Sequence, residues 1–328
     1  MNNIKFKKSL MAAAAGAVLA TVGMSAANAN SLLFPYWTTN NGAQSALSLS
    51  TDGSVGTART LHYVYNYGPS CTHYDLNGSM TGNDLLQQSV ASPAAGGFGL
   101  AVSTDKSTPA YFPLANQTGF LVVTDLTSAS AAAISGDMAI VDPTTGLVAA
   151  YAATSNNLST GGTAYASNEG NFSAVTQTSF GLAFYPQGLV QTSWYSIIMG
   201  DMNTAINGGR DWTATATVTN TTGGAGGVYN NDESFFSGTN SKTLTCAGSV
   251  APTDLMTTAQ TAAVGTNGGL IQAGWALVAA STPTAPTTTT SGKPVLDAAT
   301  GVLMYKMELV NASVGGVFGG KQFLFQQN

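Results

Sequence analysis

The densest collection of side chains able to do chemistry runs Cys71-Thr72-His73-Tyr74-Asp75-Leu76-Asn77-Gly78 and ends at Asn83-Asp84. His73, Asp75, Asn77 and Asp84 form a candidate metal set. Imidazole with carboxylate suits zinc or copper, and His62 is a further nitrogen for the same reading. A thiolate from Cys71 would join only if that cysteine were reduced, and the spacing matches no standard zinc signature. The oxygens of Asp75, Asn77, Asn83 and Asp84 suit the harder Ca2+, although Gly78 is misplaced for an EF-hand loop. A plainer reading is preferred to both: a disulfide anchors the loop, and its short polar side chains bond backbone groups up to a helix cap. Beyond that candidate Ca2+ no cofactor is expected. A second polar run, Asn230-Asn231-Asp232-Glu233, reads first as a solvated turn between strands and second as a calcium loop.

Catalytic arrangements are scarce. The chain has two histidines, His62 and His73, and three glutamates, Glu169, Glu233 and Glu308. No G-x-S-x-G elbow, P-loop, dinucleotide fingerprint or HExxH run is present, and nothing marks a carboxylate pair for glycoside hydrolysis. Catalytic residues are therefore expected to be none. Trp37, Trp194, Trp212 and Trp275 are candidates for sugar stacking, but large aromatics in a β protein more often pack its core.

These residues must be carried by something, and the chain starts with an export address. Lys5, Lys7 and Lys8 precede an apolar run from Leu10 to about Met24, and Ala27-Asn28-Ala29 closes it as a small-x-small cleavage site. The run is too short and alanine-rich for a membrane anchor, so residues 1–29 are expected to be a cleaved signal peptide. Cleavage leaves 299 of the 328 residues, and removes three of the ten basic residues but no acidic one. Seven basic residues then face fifteen acidic, a net charge of −8. A phosphate backbone has no basic patch to follow, so nucleic acid is not an expected partner. No later stretch reads as a transmembrane helix.

Cys71 and Cys246 both lie beyond the signal. In an oxidising compartment an intramolecular disulfide is the default, with two free or intermolecular thiols as the alternative. The bond would close a loop of 175 positions (246 − 71). The chain-entropy model values that at about 5 kcal/mol.

Strand signals dominate. In the stretch from Leu61 to Tyr67, Leu61, Tyr63, Tyr65 and Tyr67 share one face, with His62, Val64 and Asn66 opposite; the stretch from Trp212 to Thr219 alternates with a threonine-rich face. Further strands are expected at 119–125, 138–141, 147–152, 180–185, 193–199, 270–280, 302–310 and 322–325, separated by Gly, Asn, Asp and Pro clusters. Short helices are expected after Asn83 or Asp84 through Val90, and from Thr253 to about Ala263. The class is all-β, sandwich-like. A constant offset of 155 pairs Gly119-Phe120 with Gly274-Trp275, Val141-Asp142 with Leu296-Asp297, and DPTTG with DAATG. Both D-x-x-T-G segments read as hairpin loops. More loosely, Leu32-Leu33-Phe34-Pro35 matches Leu182-Ala183-Phe184-Tyr185-Pro186. Two similar β-sandwich-like units from an internal duplication follow, at 30–175 and 176–328, each with one short helix. A Pro/Thr-rich loop, 281–294, lies in the second.

The start Leu32-Leu33-Phe34-Pro35-Tyr36, the run C-x-H-x-D-x-x-G-x-x-T-x-N-D-L from Cys71 to Leu85, the later Val228-Tyr229-Asn230-Asn231-Asp232-Glu233 and the Cys246 segment resemble uncharacterised exported proteins of Gram-negative bacteria. The resemblance implies an envelope or extracellular location and carries no activity. The expected function is thus an exported, non-enzymatic cell-surface or matrix component (layer, filament or adhesive), on the outer surface or outside rather than in the periplasm. Self-association or cell-surface partners are expected. The alternative is a secreted module for glycans or another partner; behind it stand an outer-membrane β-barrel and an enzyme with a non-obvious site.

Overall fold

The computed structural model describes residues 31–51, 58–69, 72–91, 113–127, 134–142, 147–155, 170–186, 190–202, 212–219, 226–265, 273–285, 296–310 and 321–326. The expected signal peptide, Cys71 and the 143–146 loop lie outside these. The chain divides into two compact units: Met1–Gly68 with His73–Gly170, and Pro69–Thr72 with Asn171–Asn328. Strands dominate both.

The first unit holds β1 (Ser31–Thr38), β2 (Gln44–Thr51), β3 (Arg59–Tyr67), β4 (Thr72–Met80), β5 (Leu85–Ser89), β6 (Thr118–Asp125), β7 (Ile134–Asp142), β8 (Leu147–Ala152) and the two-residue β9 (Thr154–Ser155). They form two sheets, β4-β3-β6-β1-β9 and β5-β2-β7-β8. Antiparallel register places Tyr63 beside Val123, whose other neighbour is Leu32, and Tyr65 beside Leu121, whose other neighbour is Phe34. This face is turned toward the other sheet: Phe34 Cζ lies 2.9 Å from where a β carbon on Gly136 of β7 would sit. The sequence alternation in β3 thus becomes a tyrosine-rich inner face. Tyr151 of β8 ties the two sheets, its hydroxyl donating to the Tyr36 carbonyl and accepting from the Tyr36 N–H at 3.3 Å. Phe34, Leu32, Leu47 and Leu49 are fully buried, each contributing about 1.5–3 kcal/mol by removal from water.

The second unit holds β10 (Ser179–Phe184), β11 (Val190–Met202), β12 (Thr213–Thr219), β13 (Gly227–Asn230), β14 (Phe235–Ser237), β15 (Ser241–Thr245), β16 (Ala247–Val250), α1 (Pro252–Leu255), α2 (Thr258–Gly265), β17 (Gly274–Ala280), β18 (Leu296–Val310) and β19 (Lys321–Gln326). One sheet runs β16-β11-β18-β19. In the other, β17 pairs along its length with β10 on one side, and with β12 and then β13 on the opposite side. β15 and β14 complete it. Phe184 and Trp194 meet across the sheets edge to face, with centroids 6.0 Å apart.

The strand order repeats. The first unit's β4-β3-β6-β1 corresponds to β15-β12-β17-β10, and β5-β2-β7-β8 to β16-β11-β18-β19. Gly119 and Gly274 lie at the starts of corresponding strands, second in β6 and first in β17, and both lack room for a side chain. A β carbon would lie 1.8 Å from the Asn66 carbonyl oxygen at the first and 2.6 Å from the Phe184 ring at the second. Register makes Phe34 equivalent to Leu182, since each faces its counterpart in β6 or β17 (Leu121 and Ala276).

Three local expectations are corrected. Residues Leu85–Ser89 form a strand, not a helix: Asn83 takes φ 57° and ends a turn, and the segment pairs with β2 from Ser50↔Leu85 to Ala46↔Ser89. The two α-helices among the described residues both belong to the second unit, and the expected 253–263 helix is broken at Met256–Thr257. Residues 297–301 are not a hairpin loop but part of β18, whose register against β11 slips between Met199 and Gly200. Such a bulge lets a long strand bend while pairing continues. The D-x-x-T-G matches therefore fall at non-equivalent places, as a restricted alphabet permits. Of the 281–294 loop, Thr284 is pinned to Thr213 by two backbone bonds of 2.8 and 2.9 Å.

Candidate functional site

The His73 cluster comes only partly together. His73 and Asp75 are two apart on β4 and so project to one side; His73 Nε2 lies 2.9 Å from Asp75 Oδ2. Asn77 is exposed further along the same strand. Asp84 does not join them. Its Oδ2 accepts the Thr81 N–H at 3.1 Å and its Oδ1 the Leu85 N–H at 2.9 Å, so its carboxylate is spent closing the β4–β5 turn. Among the described residues, no three of His, Cys, Asp and Glu assemble as metal ligands. Cys246 is buried at φ 59°, its N–H donating to the Trp212 carbonyl at 2.9 Å, and no described cysteine is free.

The Asn230–Glu233 run builds a tight hairpin. Asn230 Oδ1 accepts the N–H groups of Asp232 at 3.0 Å and Ser234 at 2.9 Å, and Glu233 adopts φ 59°. The asparagine oxygen is thus committed to the backbone. The consequence lies in the strands, because this turn sets Tyr229 opposite Phe235. Trp275 in turn faces Tyr229 from β17. Ring centroids are 5.1 Å apart for Tyr229–Phe235 and 5.6 Å for Tyr229–Trp275, both pairs tilted by 49°. Trp275 and Phe235 are each 40% exposed. A row of three aromatics thus crosses β14, β13 and β17 on an outer sheet face.

The row is held from behind. Gln260 of α2 is buried, and its Nε2 donates to the carbonyls of Phe236 at 2.8 Å and Gly238 at 2.9 Å, fixing β14. Thr257 and Gln260 bond reciprocally as a capping box, which starts α2 at the register that aims Gln260 at β14. On the front, Gly181 and Ala183 of β10 leave Trp275 uncovered; Trp275 Nε1 is 3.8 Å from where a Gly181 β carbon would sit. Farther along the face stand Thr213, Thr215, Thr217 and Thr219 of β12, half-buried, with the intervening alanines and valine buried beneath. None of the described residues on this outer face is charged.

Of the four tryptophans, Trp37 and Trp194 are core, Trp212 is half-buried, and Trp275 alone of the four is exposed. Tyr229, Phe235 and Gln260 were not marked by the sequence reading. Every residue of Gly274–Ala280 is apolar or glycine, so the sequence of this strand carries no alternation that would have revealed the outward phase.

Elsewhere, Asp137 of β7 is half-buried between Ser48 and Ala152 with Oδ1 unbonded, and burial raises its carboxyl to about 6. Tyr65 is fully buried, which with Tyr63, Tyr151 and Tyr74 nearby holds its phenol well above 10. Arg59 and Asp125 form a buried pair at 2.7 Å. A shallow polar depression is lined by Thr217, Asn240, Ser241 and Asp254 among others. Among the described residues no helix is long and apolar enough to cross a membrane. No known family model and no curated protein sequence matches this chain.

Proposed function

We propose that this chain is an exported, non-enzymatic protein of the cell surface or extracellular matrix that works by contact, and that the outer face of the β10–β17–β12/β13 sheet is its contact surface. The observation carrying this reading is the exposed Trp275–Tyr229–Phe235 row on a face whose described residues carry no charge. Large apolar side chains left in water as a group mark interaction sites. Few like charges oppose close approach of a neutral partner. The signal-like residues 1–29 supply the export route, and the resemblance to exported Gram-negative proteins agrees with it. Cys71 and Cys246 are proposed to be bonded to each other, supported by Cys246 not being a free thiol in a chain with two cysteines.

The test is fractionation of producing cells with mass spectrometry of the protein. A chain beginning at Asn30, surface-labelled or extracellular, is expected. A Trp275→Ser, Phe235→Ser double variant should be exported and folded but shed from the cell-associated fraction. An uncleaved cytoplasmic chain, or a double variant retained like the parent, overturns the reading.

A further inference from the structure

The chemistry of the aromatic row identifies what it meets. We infer that the Trp275–Tyr229–Phe235 row binds an uncharged, extended polysaccharide lying across strands β14, β13 and β17. This deepens the contact reading above and rests on it.

Four observations converge. The three rings form a line set by cross-strand register, not a random cluster: Phe235 faces Tyr229, and Tyr229 faces Trp275. Their centroid spacings, 5.1 and 5.6 Å, are comparable to the repeat of successive sugar rings in an extended chain. The rings are tilted by 49° to one another, so a chain that lays a C–H face on each must twist between successive sugars. Next, the surroundings are hydroxyls and small residues. Thr219 sits beside Leu277, and Thr217 beside Ala279, on the same face as Trp275. Hydroxyl side chains both donate and accept, as sugar hydroxyls require. Third, the described residues of the face carry no charge, and exposed Asp232 and Glu233 stand at its turn. Their carboxylates accept from neutral hydroxyls but repel a polyanion. Last, the row lies on an open sheet face and not in an enclosed pocket. A small ligand would stay mostly in water there, whereas a polymer gains contact along its length.

Two other occupants fit less well. A folded protein partner, or a second copy, needs a stable interface that buries about 1,600 Å² in total around an apolar centre. Three rings followed by threonines and alanines offer a narrow apolar strip instead. A nucleic acid would stack on the rings but finds no cation among the described residues of this face to meet its phosphates.

The experiment is affinity electrophoresis of the mature chain, disulfide intact, in gels containing hydroxyethyl cellulose, mixed-linkage β-glucan or galactomannan, with alginate as the anionic control. Retardation by at least one neutral polymer and none by alginate is expected. Trp275→Ala should weaken that retardation about tenfold, and Phe235→Ala should weaken it less. Circular dichroism and a cooperative unfolding transition establish that both variants are folded. Light scattering of the same samples reads self-association. No retardation by any neutral polymer, retardation indifferent to Trp275→Ala, or preferential binding of alginate overturns the inference. If saccharides fail but self-association appears and is lost in Trp275→Ala, the inference falls while the contact reading stands. If both fail, the contact reading falls too.

Discussion

β6 and β17 occupy the same place in the two units, yet one is buried on both faces and the other on a single face. From Gly119 to Asp125 every residue of β6 is buried, including Phe120 at 2% exposure and Thr124 at 1%. In β17 burial alternates residue by residue, and Trp275, the counterpart of Phe120, is 40% exposed. Sequence does not separate the two strands: Phe120-Leu121-Val122-Val123 and Trp275-Ala276-Leu277-Val278-Ala279-Ala280 are both continuous apolar runs, the signature of a strand covered on both sides. A second difference lies at the far end. Asp125 is buried and paired with Arg59, while its counterpart Ala280 is simply apolar. One copy of the topology has been turned inward and holds buried charge; the other keeps a neutral face toward water. That contrast is the reason the contact role is proposed for the second unit.

The sharpest way to break the contrast is to truncate both aromatics. Phe120→Ala should cost about 3–5 kcal/mol of stability by urea unfolding, while Trp275→Ala should cost less than about 1 kcal/mol. Equal losses would mean that the two faces are not differently buried. Arg59→Ala comes next. It strands the Asp125 carboxylate in the interior and should cost about 3 kcal/mol or more, whereas Arg59→Met with Asp125→Leu should recover most of the loss. A cost near zero for Arg59→Ala would show that the pair is open to water.

Asp137 gives a pH signature to the first unit. Its folded pKa of about 6 lies above the ordinary 3.8. Between these values the native state binds more protons than the unfolded state. Its contribution to stability is therefore fully present below about pH 4 and is lost as pH rises through 6. Asp137→Asn should gain about 1 kcal/mol at pH 7.5 and nothing at pH 4; the half exposure of the group keeps the figure well below that of a fully buried acid. A variant that tracks the parent at both pH values would refute the burial argument. Tyr151→Phe removes the hydroxyl tying β8 to Tyr36 and should cost about 0.5–1 kcal/mol. Thermal unfolding that leaves the midpoint unmoved would show that the two sheets do not depend on it.

The strands were largely legible because alternation of β-branched and aromatic residues survives folding unchanged. Leu61–Tyr67 and Trp212–Thr219 are clear cases. Leu85–Ser89 was not, since Asp84-Leu85-Leu86 reads locally as a helix start, and pairing with β2 outweighs that preference. The D-x-x-T-G repeat misled for a related reason: an identical short motif closes a hairpin in isolation but continues a strand when a long partner, β11, extends past it. Within the candidate site, Trp275 was singled out but not distinguished from the buried tryptophans. Tyr229 and Phe235 went unmarked, because a ring's neighbour across a sheet is distant in the chain.

Composition and periodicity, which are properties of the chain alone, determined the all-β class, the low charge and the alternating faces of individual strands. Which of two equivalent strands shows its second face to water was decided by tertiary structure, because burial depends on what packs from outside the strand. The same holds for the row of three rings. Register between β14, β13 and β17 sets their spacing, and register is a relation between segments that no single segment contains.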